Sequence, residues 1–269
     1  MTTVIPLLSQ ASGIPPATAF YDQPSAAYAQ REHDALHALR AAAAAHPVRI
    51  VQATSLGVED MVLTDLIARH GLPIAVATLD TGALHDETLD LIGRTERHYA
   101  IGVEVWRPDA AAVERFVAAN GTDAMYRSVE LRQACCGVRK LEPLARMLHG
   151  RDAWIAGLRR EQSANRTRVA PQVRDAQGRI KYIPLAEWTQ GDVWHYVAVH
   201  AVPYNPLHDR FFPSIGCAPC TRAVSLGEDF RAGRWWWEQD GARECGLHAD
   251  RIGAADAATP GRQTTGVGA

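Results

Sequence analysis

The chain has no uninterrupted apolar run near the roughly 18 residues that a membrane-spanning helix requires. It has no excess of one charge either. Its 28 Lys+Arg face 30 Asp+Glu, a formal net charge of −2, so no global basic field is available for nucleic acid. The first ten residues lack a basic residue ahead of the short apolar stretch 4–8 and do not read as a secretory leader. The expectation is a cytoplasmic protein with no membrane or nucleic-acid partner. Thiols stay reduced in that compartment. Cysteine is scarce and odd in number: five among 269 residues, which excludes complete internal pairing.

Hydrophobic residues make up 47% and charged residues 22%, a globular composition. The length allows one large domain or two modest ones, with a sizeable core. Residues 1–24 carry Pro6, Pro15, Pro16 and Pro24 and read as an irregular N-terminal arm. Ser25 is placed to cap a helix running to about residue 45, beyond which Pro47 stops it. A strand over 48–54 then ends in Ser55-Leu56-Gly57. Helical spacing over 59–70 (Met61, Leu63, Leu66, Ile67) stops at Gly71. Strand 73–79 ends in Leu79-Asp80-Thr81-Gly82 and leads to a helix over 83–99. Strand 102–106 precedes a helix over 109–119, and the buried strand 153–158 ends in Arg159-Arg160.

This alternation predicts an α/β fold, a parallel sheet with helices on both faces. Ligands in such sheets sit at the carboxyl ends of the strands. Further on, 174–178 reads as a polar turn and 187–200 as a helix. From Pro203 the chain becomes loop-rich. The expected organisation is an α/β nucleotide-binding domain over 25–200, a C-terminal segment over 201–248 packed on it, and a flexible tail over 249–269.

The cysteines divide into Cys135-Cys136, Cys217-Ala218-Pro219-Cys220 and a lone Cys245. A Cys-x-x-Cys turn presents two thiolates side by side, as a zinc half-site or a redox dithiol would. Adjacent Cys135-Cys136 is rarer, because neighbouring side chains diverge. Binding one centre through both needs a bent backbone, with Gly137 as a point of relief. Either pair taken singly also fits buried small hydrophobes. Two pairs with no obligatory histidine between them suit zinc or iron–sulfur equally. Cys245 has Arg243 and His248 near it in sequence, and a nearby cation favours the reactive thiolate.

Several motifs in order resemble the assimilatory sulfonucleotide (APS/PAPS) reductases, and among them the bacterial adenylyl-sulfate (APS) branch. They are Leu79-Asp80-Thr81-Gly82, Cys135-Cys136-Gly137-Val138-Arg139-Lys140, Tyr204-Asn205-Pro206-Leu207-His208, Pro213-Ser214-Ile215-Gly216 with Cys217-Ala218-Pro219-Cys220-Thr221, Arg231-Ala232-Gly233-Arg234-Trp235-Trp236-Trp237, and Glu244-Cys245-Gly246-Leu247-His248. The resemblance runs from about residue 48 to 248. It implies an adenine-nucleotide alpha-hydrolase-like fold, related to the PP-loop group, with a loop-rich C-terminal catalytic segment. It also implies a 4Fe–4S cluster on Cys135, Cys136, Cys217 and Cys220, a set that favours unphosphorylated APS over PAPS.

The activity implied is reduction of APS to sulfite and AMP. Cys245 would be the nucleophile, an S-sulfocysteine the intermediate, and thioredoxin or a similar dithiol the reductant. The implied substrate contacts are Thr54, Ser55 and Gly57 in a modified phosphate loop, Leu79, Thr81 and Gly82 at the adenosine, Lys140 between cluster and substrate, one of Arg159 and Arg160, Arg231 and Arg234 on the phosphosulfate, and His248 once the C-terminal segment closes. Some relatives carry Ser-Gly-Ala-Glu-Asp at the loop, which puts serine where this chain has Leu56. Trp235–Trp237 reads as packing of the C-terminal lobe. His85, His195, His200 and His208 show no metal-ligand spacing and read as structural or solvated. A PAPS reductase, a non-catalytic iron–sulfur or zinc redox sensor, and an ATP-consuming PP-loop ligase or sulfurtransferase are the rival readings. Oligomeric state is left open, a homo-oligomer included.

Overall fold

The computed structural model describes residues 15–162, 166–167, 169–225 and 227–238. Its centre is a six-stranded sheet built from β1 (Ile50–Thr54), β2 (Ala75–Leu79), β3 (Val103–Trp106), β4 (Ala153–Ile155), β5 (Gln172–Arg174) and β6 (Ile180–Tyr182). The spatial order is β3-β2-β1-β4-β6-β5. All neighbours run parallel except the edge pair, where β5 lies antiparallel to β6. The expected parallel sheet is therefore mixed at one edge. The polar turn expected over 174–178 is the hairpin between those two strands. Asp175 there accepts from the backbone N–H of Gln177 (3.0 Å) and Arg179 (2.9 Å).

Helices α1 (Ala17–Tyr21), α2 (Tyr28–Ala45), α3 (Val58–Arg69), α4 (Asp86–Tyr99), α5 (Ala110–Asn120), α6 (Ala124–Arg127), α7 (Val129–Cys136), α8 (Glu142–Met147) and α9 (Gln190–His200) surround it. Successive strand residues point to opposite faces. Ile50, Val76 and Ile155 thus join one core with α2, α3 and α9, while Val51, Ala77 and Trp154 join a second core with Met147 and Leu148. Both faces are covered, as the alternation predicted.

Three local expectations change. The N-terminal arm is not irregular throughout, because α1 docks on α9. Tyr21 stacks on Trp194 at 5.9 Å, and the Ala17 N–H donates to Asp209 (2.7 Å). Ser25 does not cap α2, whose cap position is Ala27. Its N–H is committed to Asp192 (2.7 Å). The helix expected from 187 begins at Gln190, because Thr189 and Asp192 form a reciprocal capping box there. The stretch between α5 and β4 carried no expected element; it holds α6, α7, a π-helical turn over Gly137–Leu141, and α8.

Candidate functional site

A cavity of about 200 Å³ opens at the carboxyl ends of β1, β2 and β4. Its first wall is the turn after β1. Leu56 there is buried and left-handed (φ 59°), and its N–H donates to Thr54 Oγ1 (3.0 Å). Thr54, Ser55 and Gly57 all line the cavity. The turn does not leave its donors open, however. Asp60 accepts from the Ser55 N–H (2.7 Å), the Ser55 hydroxyl (2.7 Å) and the Gly157 N–H (2.8 Å). Burial pushes the Asp60 carboxyl above its ordinary range, while these bonds pull it down. Beside it, burial raises Glu59 as well, but the Arg159 guanidinium (3.0 Å), with hydrogen bonds from Gln162 and the backbone, together holds it below the usual range.

Neither Arg159 nor Arg160 lines the cavity. Arg159 is buried between Glu59 and Glu161 (2.9 Å), and Arg160 binds the Val169 carbonyl (2.7 Å) and Glu187. A strand ending in two arginines delivers both to partners of the scaffold. The arginine that does line the cavity in this region is Arg166, in the irregular stretch beyond. Its one sequence signal is a basic residue soon after a strand's carboxyl end.

Leu79 and Thr81 line the cavity, and Gly82 does not. Gly82 turns the chain (φ 66°), its N–H held by Asp80 (3.0 Å). Thr81 faces both ways: its carbonyl accepts from Arg139 Nη1 (2.8 Å), and its hydroxyl lies 3.2 Å from Cys217 Sγ.

Behind that wall is a second cavity of about 130 Å³, lined by Cys135, Cys136, Cys217 and Cys220. Ser128 caps α7 by accepting from the Leu131 N–H (3.2 Å), and the helix delivers the first pair at its end. Gly137 does not relieve the chain through a left-handed turn. It is right-handed (φ −54°, ψ −55°) and opens the π-helical turn. That wider turn, common at functional sites, is where the backbone accommodates two adjacent cysteines. The second pair sits on a short 3₁₀ turn pinned by Ala218 N–H to the Ala83 carbonyl (2.8 Å) and by the Tyr126 hydroxyl to the Pro219 carbonyl (2.6 Å).

All four cysteines are buried and none is in a disulfide. Burial raises the Cys135 thiol. Burial and then Cys217 push Cys220 up to about 11, with Lys140 and Arg234 pulling back. Among the described residues no group of three or more His, Cys, Asp or Glu side chains is arranged around a single metal ion.

Lys140 and Trp235 line both cavities and so form the partition between them. Trp235 is wholly buried, with Arg132 (4.5 Å), Arg234 (4.7 Å) and Arg231 (6.0 Å) around its ring. Its role is packing, as expected. Arg231 and Arg234 line the nucleotide-side cavity. Arg234 is only 6% exposed, and among the described residues it forms no ion pair and its Nε has no hydrogen-bond partner. His195 and His200 are structural, meeting Asp22 (2.7 Å) and Glu32 (3.4 Å). His208 differs from its expected place, since it lies in the cavity wall, where burial pushes its pKa down to about 4 and keeps it neutral. Cys245 and His248 lie outside the described residues.

A mostly parallel sheet covered by helices on both faces, with a cavity at its strand ends, defines an α/β fold of the kind that binds ligands there. FMN adenylyltransferase of Candida glabrata shares this fold at a TM-score of 0.51 and 14% identity, over 85% of this chain and 81% of that one. The phosphoadenosine phosphosulfate reductase domain profile matches residues 49–223, and the chain belongs to that family. Adenosine 5'-phosphosulfate reductase of Allochromatium vinosum is 55% identical over 200 residues, covering 74% of this chain and 78% of that protein. Phosphoadenylyl-sulfate reductase of Candida auris, solved as a phosphate complex, superimposes at a TM-score of 0.61 with 26% identity, over 71% of this chain and 90% of that one. Among the described residues no helix is long and apolar enough to cross a membrane.

Proposed function

We propose that the chain is a cytoplasmic enzyme of sulfate assimilation that reduces APS to sulfite and AMP with electrons from thioredoxin or a similar dithiol. The observation that carries this reading is Arg234. A buried guanidinium without a counter-ion is costly, and this one, which forms no ion pair among the described residues, faces a cavity that shares a wall with four buried thiols. A bound phosphosulfate supplies the missing charge there, with Arg231, Arg166 and Lys140 on the same wall.

The donor set fits a 4Fe–4S cluster. Its four thiols line one small chamber, where burial disfavours ionisation of Cys135 and Cys220. A centre of bound cations reverses that and takes one thiolate per iron. Cys135, Cys136, Cys217 and Cys220 would hold it, and the positive charge of Lys140, which lines both cavities, would offset the cluster thiolates beside the sulfonate. Lys140 then lies between cluster and substrate.

Cys245 is the proposed nucleophile. Its thiolate attacks the sulfuryl sulfur, an S–S bond forms, the S–O bond breaks, and AMP leaves with the electron pair. A thiolate of the external dithiol then attacks Cys245 Sγ, and sulfite leaves with the S–S pair. The second thiol of the donor displaces Cys245 and is oxidised with the first to a disulfide. His248 is the further substrate contact on the same C-terminal segment, and Thr54, Ser55, Gly57, Leu79 and Thr81 hold the nucleoside end.

The test is sulfite release from APS, with thioredoxin and without ATP, by the wild type and by Cys245→Ser. The expected result is AMP and sulfite in equal amounts from the wild type and neither from the variant. Surviving activity in the variant would overturn the covalent step. Faster turnover of PAPS than of APS would reassign the substrate.

A further inference from the structure

Arg234 is placed by a residue with no side chain. Gly216, immediately before Cys217, lies flat against the guanidinium. A Cβ built there would stand 2.5 Å from Arg234 Cζ and 2.6 Å from Nη1, closer than real carbon contacts allow. The guanidinium also lies over the Trp235 ring, 4.7 Å from its centroid. The group thus sits in a tight slot bounded by glycine backbone and by indole. The backbone at Gly216 is not left-handed, so alanine is tolerated there by the chain itself, and only the slot would be closed.

The slot is tied to the thiol chamber. The Gly216 N–H donates to Thr221 Oγ1 (3.2 Å), and the Thr221 hydroxyl donates to the Cys217 carbonyl (3.0 Å). Thr221 also bridges Arg234 across an antiparallel pair, flanked by Trp235 N–H to the Cys220 carbonyl (3.2 Å) and Arg222 N–H to the Gly233 carbonyl (3.0 Å). One backbone unit therefore carries two of the four thiols and the buried cation.

We propose that Gly216 is a positioning residue that fixes the Arg234 guanidinium for the substrate anion, and that the Thr221 hydroxyl locks this slot to the Cys217–Cys220 turn. The inference rests on the sulfonucleotide reading above.

The experiment is a binding cycle on the cluster-loaded protein. ADP serves as the unreactive probe, its β-phosphate standing in for the sulfate, and Kd is measured by calorimetry for wild type, Gly216→Ala, Arg234→Ala and the double variant. Gly216→Ala should weaken ADP about tenfold or more, with the visible spectrum of the centre unchanged. In the Arg234→Ala background the same substitution should have almost no further effect, because coupled sites are non-additive. Thr221→Val should show a smaller loss, and Thr221→Ser, which keeps the hydroxyl, should restore wild-type affinity. Equal losses from Gly216→Ala in both backgrounds, or no loss at all, would overturn the slot. If Gly216→Ala fails to load its centre, the Thr221→Val and Thr221→Ser pair decides: equal affinities for the two would also overturn the proposal. A wild-type protein that binds no ADP would instead bring down the sulfonucleotide reading on which the slot rests.

Discussion

The two halves of the cavity treat charge in opposite ways. On the β1 side every buried charge has an internal partner: Asp60 is held by Ser55 and Gly157, and Glu59 by Arg159. On the cysteine side Arg234 is buried without an ion pair among the described residues, and four thiols share one chamber. The first half is a finished scaffold, paired within the protein. The second, among the described residues, is electrostatically incomplete. The turn after β1 thus satisfies its own polar groups while still lining the cavity, and the other wall is assembled from distant segments.

Breaking the incomplete half should have the largest effect. Arg234→Ala should raise the KM for APS by roughly a hundredfold, since a hydrogen bond to a charged group contributes about 1.5–3 kcal/mol. The change should leave the melting temperature unchanged or higher, because it removes a buried cation that forms no ion pair among the described residues. A variant with lower stability and unaltered KM would contradict the contrast.

Breaking the finished half should do the reverse. Asp60→Asn places an amide where three donors converge and should cost about 1–3 kcal/mol of stability. Thermal denaturation would show it, with the absorption of the sulfur centre retained. Unaltered melting would mean that Asp60 does not hold the turn.

The smallest expected effect lies far from both halves and serves as a control. Asp192 is buried, which raises its pKa, but the N–H groups of Thr189 and Ser25 and the Arg31 guanidinium bring it down to about 2. A carboxyl depressed in the folded state stabilises the fold above its ordinary range, near 3.9, and loses that contribution as pH falls through about 2. Acid titration should therefore loosen the joint between residue 25 and α9 below pH 4, and Asp192→Asn should flatten this pH dependence without changing nucleotide affinity.

Much of the scaffold was legible in the sequence because it is written in periodicity. Strand and helix alternate from Ile50 to Ala119, with apolar spacing that the two cores bear out as far as Trp106. The cysteine pairs, and a family resemblance that includes Arg231 and Arg234, marked the other half. What stayed hidden lacks periodic patterning. The π-helical turn at Gly137–Leu141 depends on packing around adjacent cysteines, and no short pattern encodes it. The fates of Arg159 and Arg160 depended on acidic partners brought in from Glu59 and Glu187. His208 looked like an ordinary histidine because its position in the cavity wall is set by tertiary packing against Trp194, 5.3 Å away.

The most direct measurement of the whole account is mass spectrometry on iron-loaded protein incubated with APS and no reductant. The account predicts one added SO₃ group on the peptide bearing Cys245, with an equal amount of AMP released. An unmodified Cys245 peptide, from protein shown to be fully loaded and able to bind nucleotide, would contradict it.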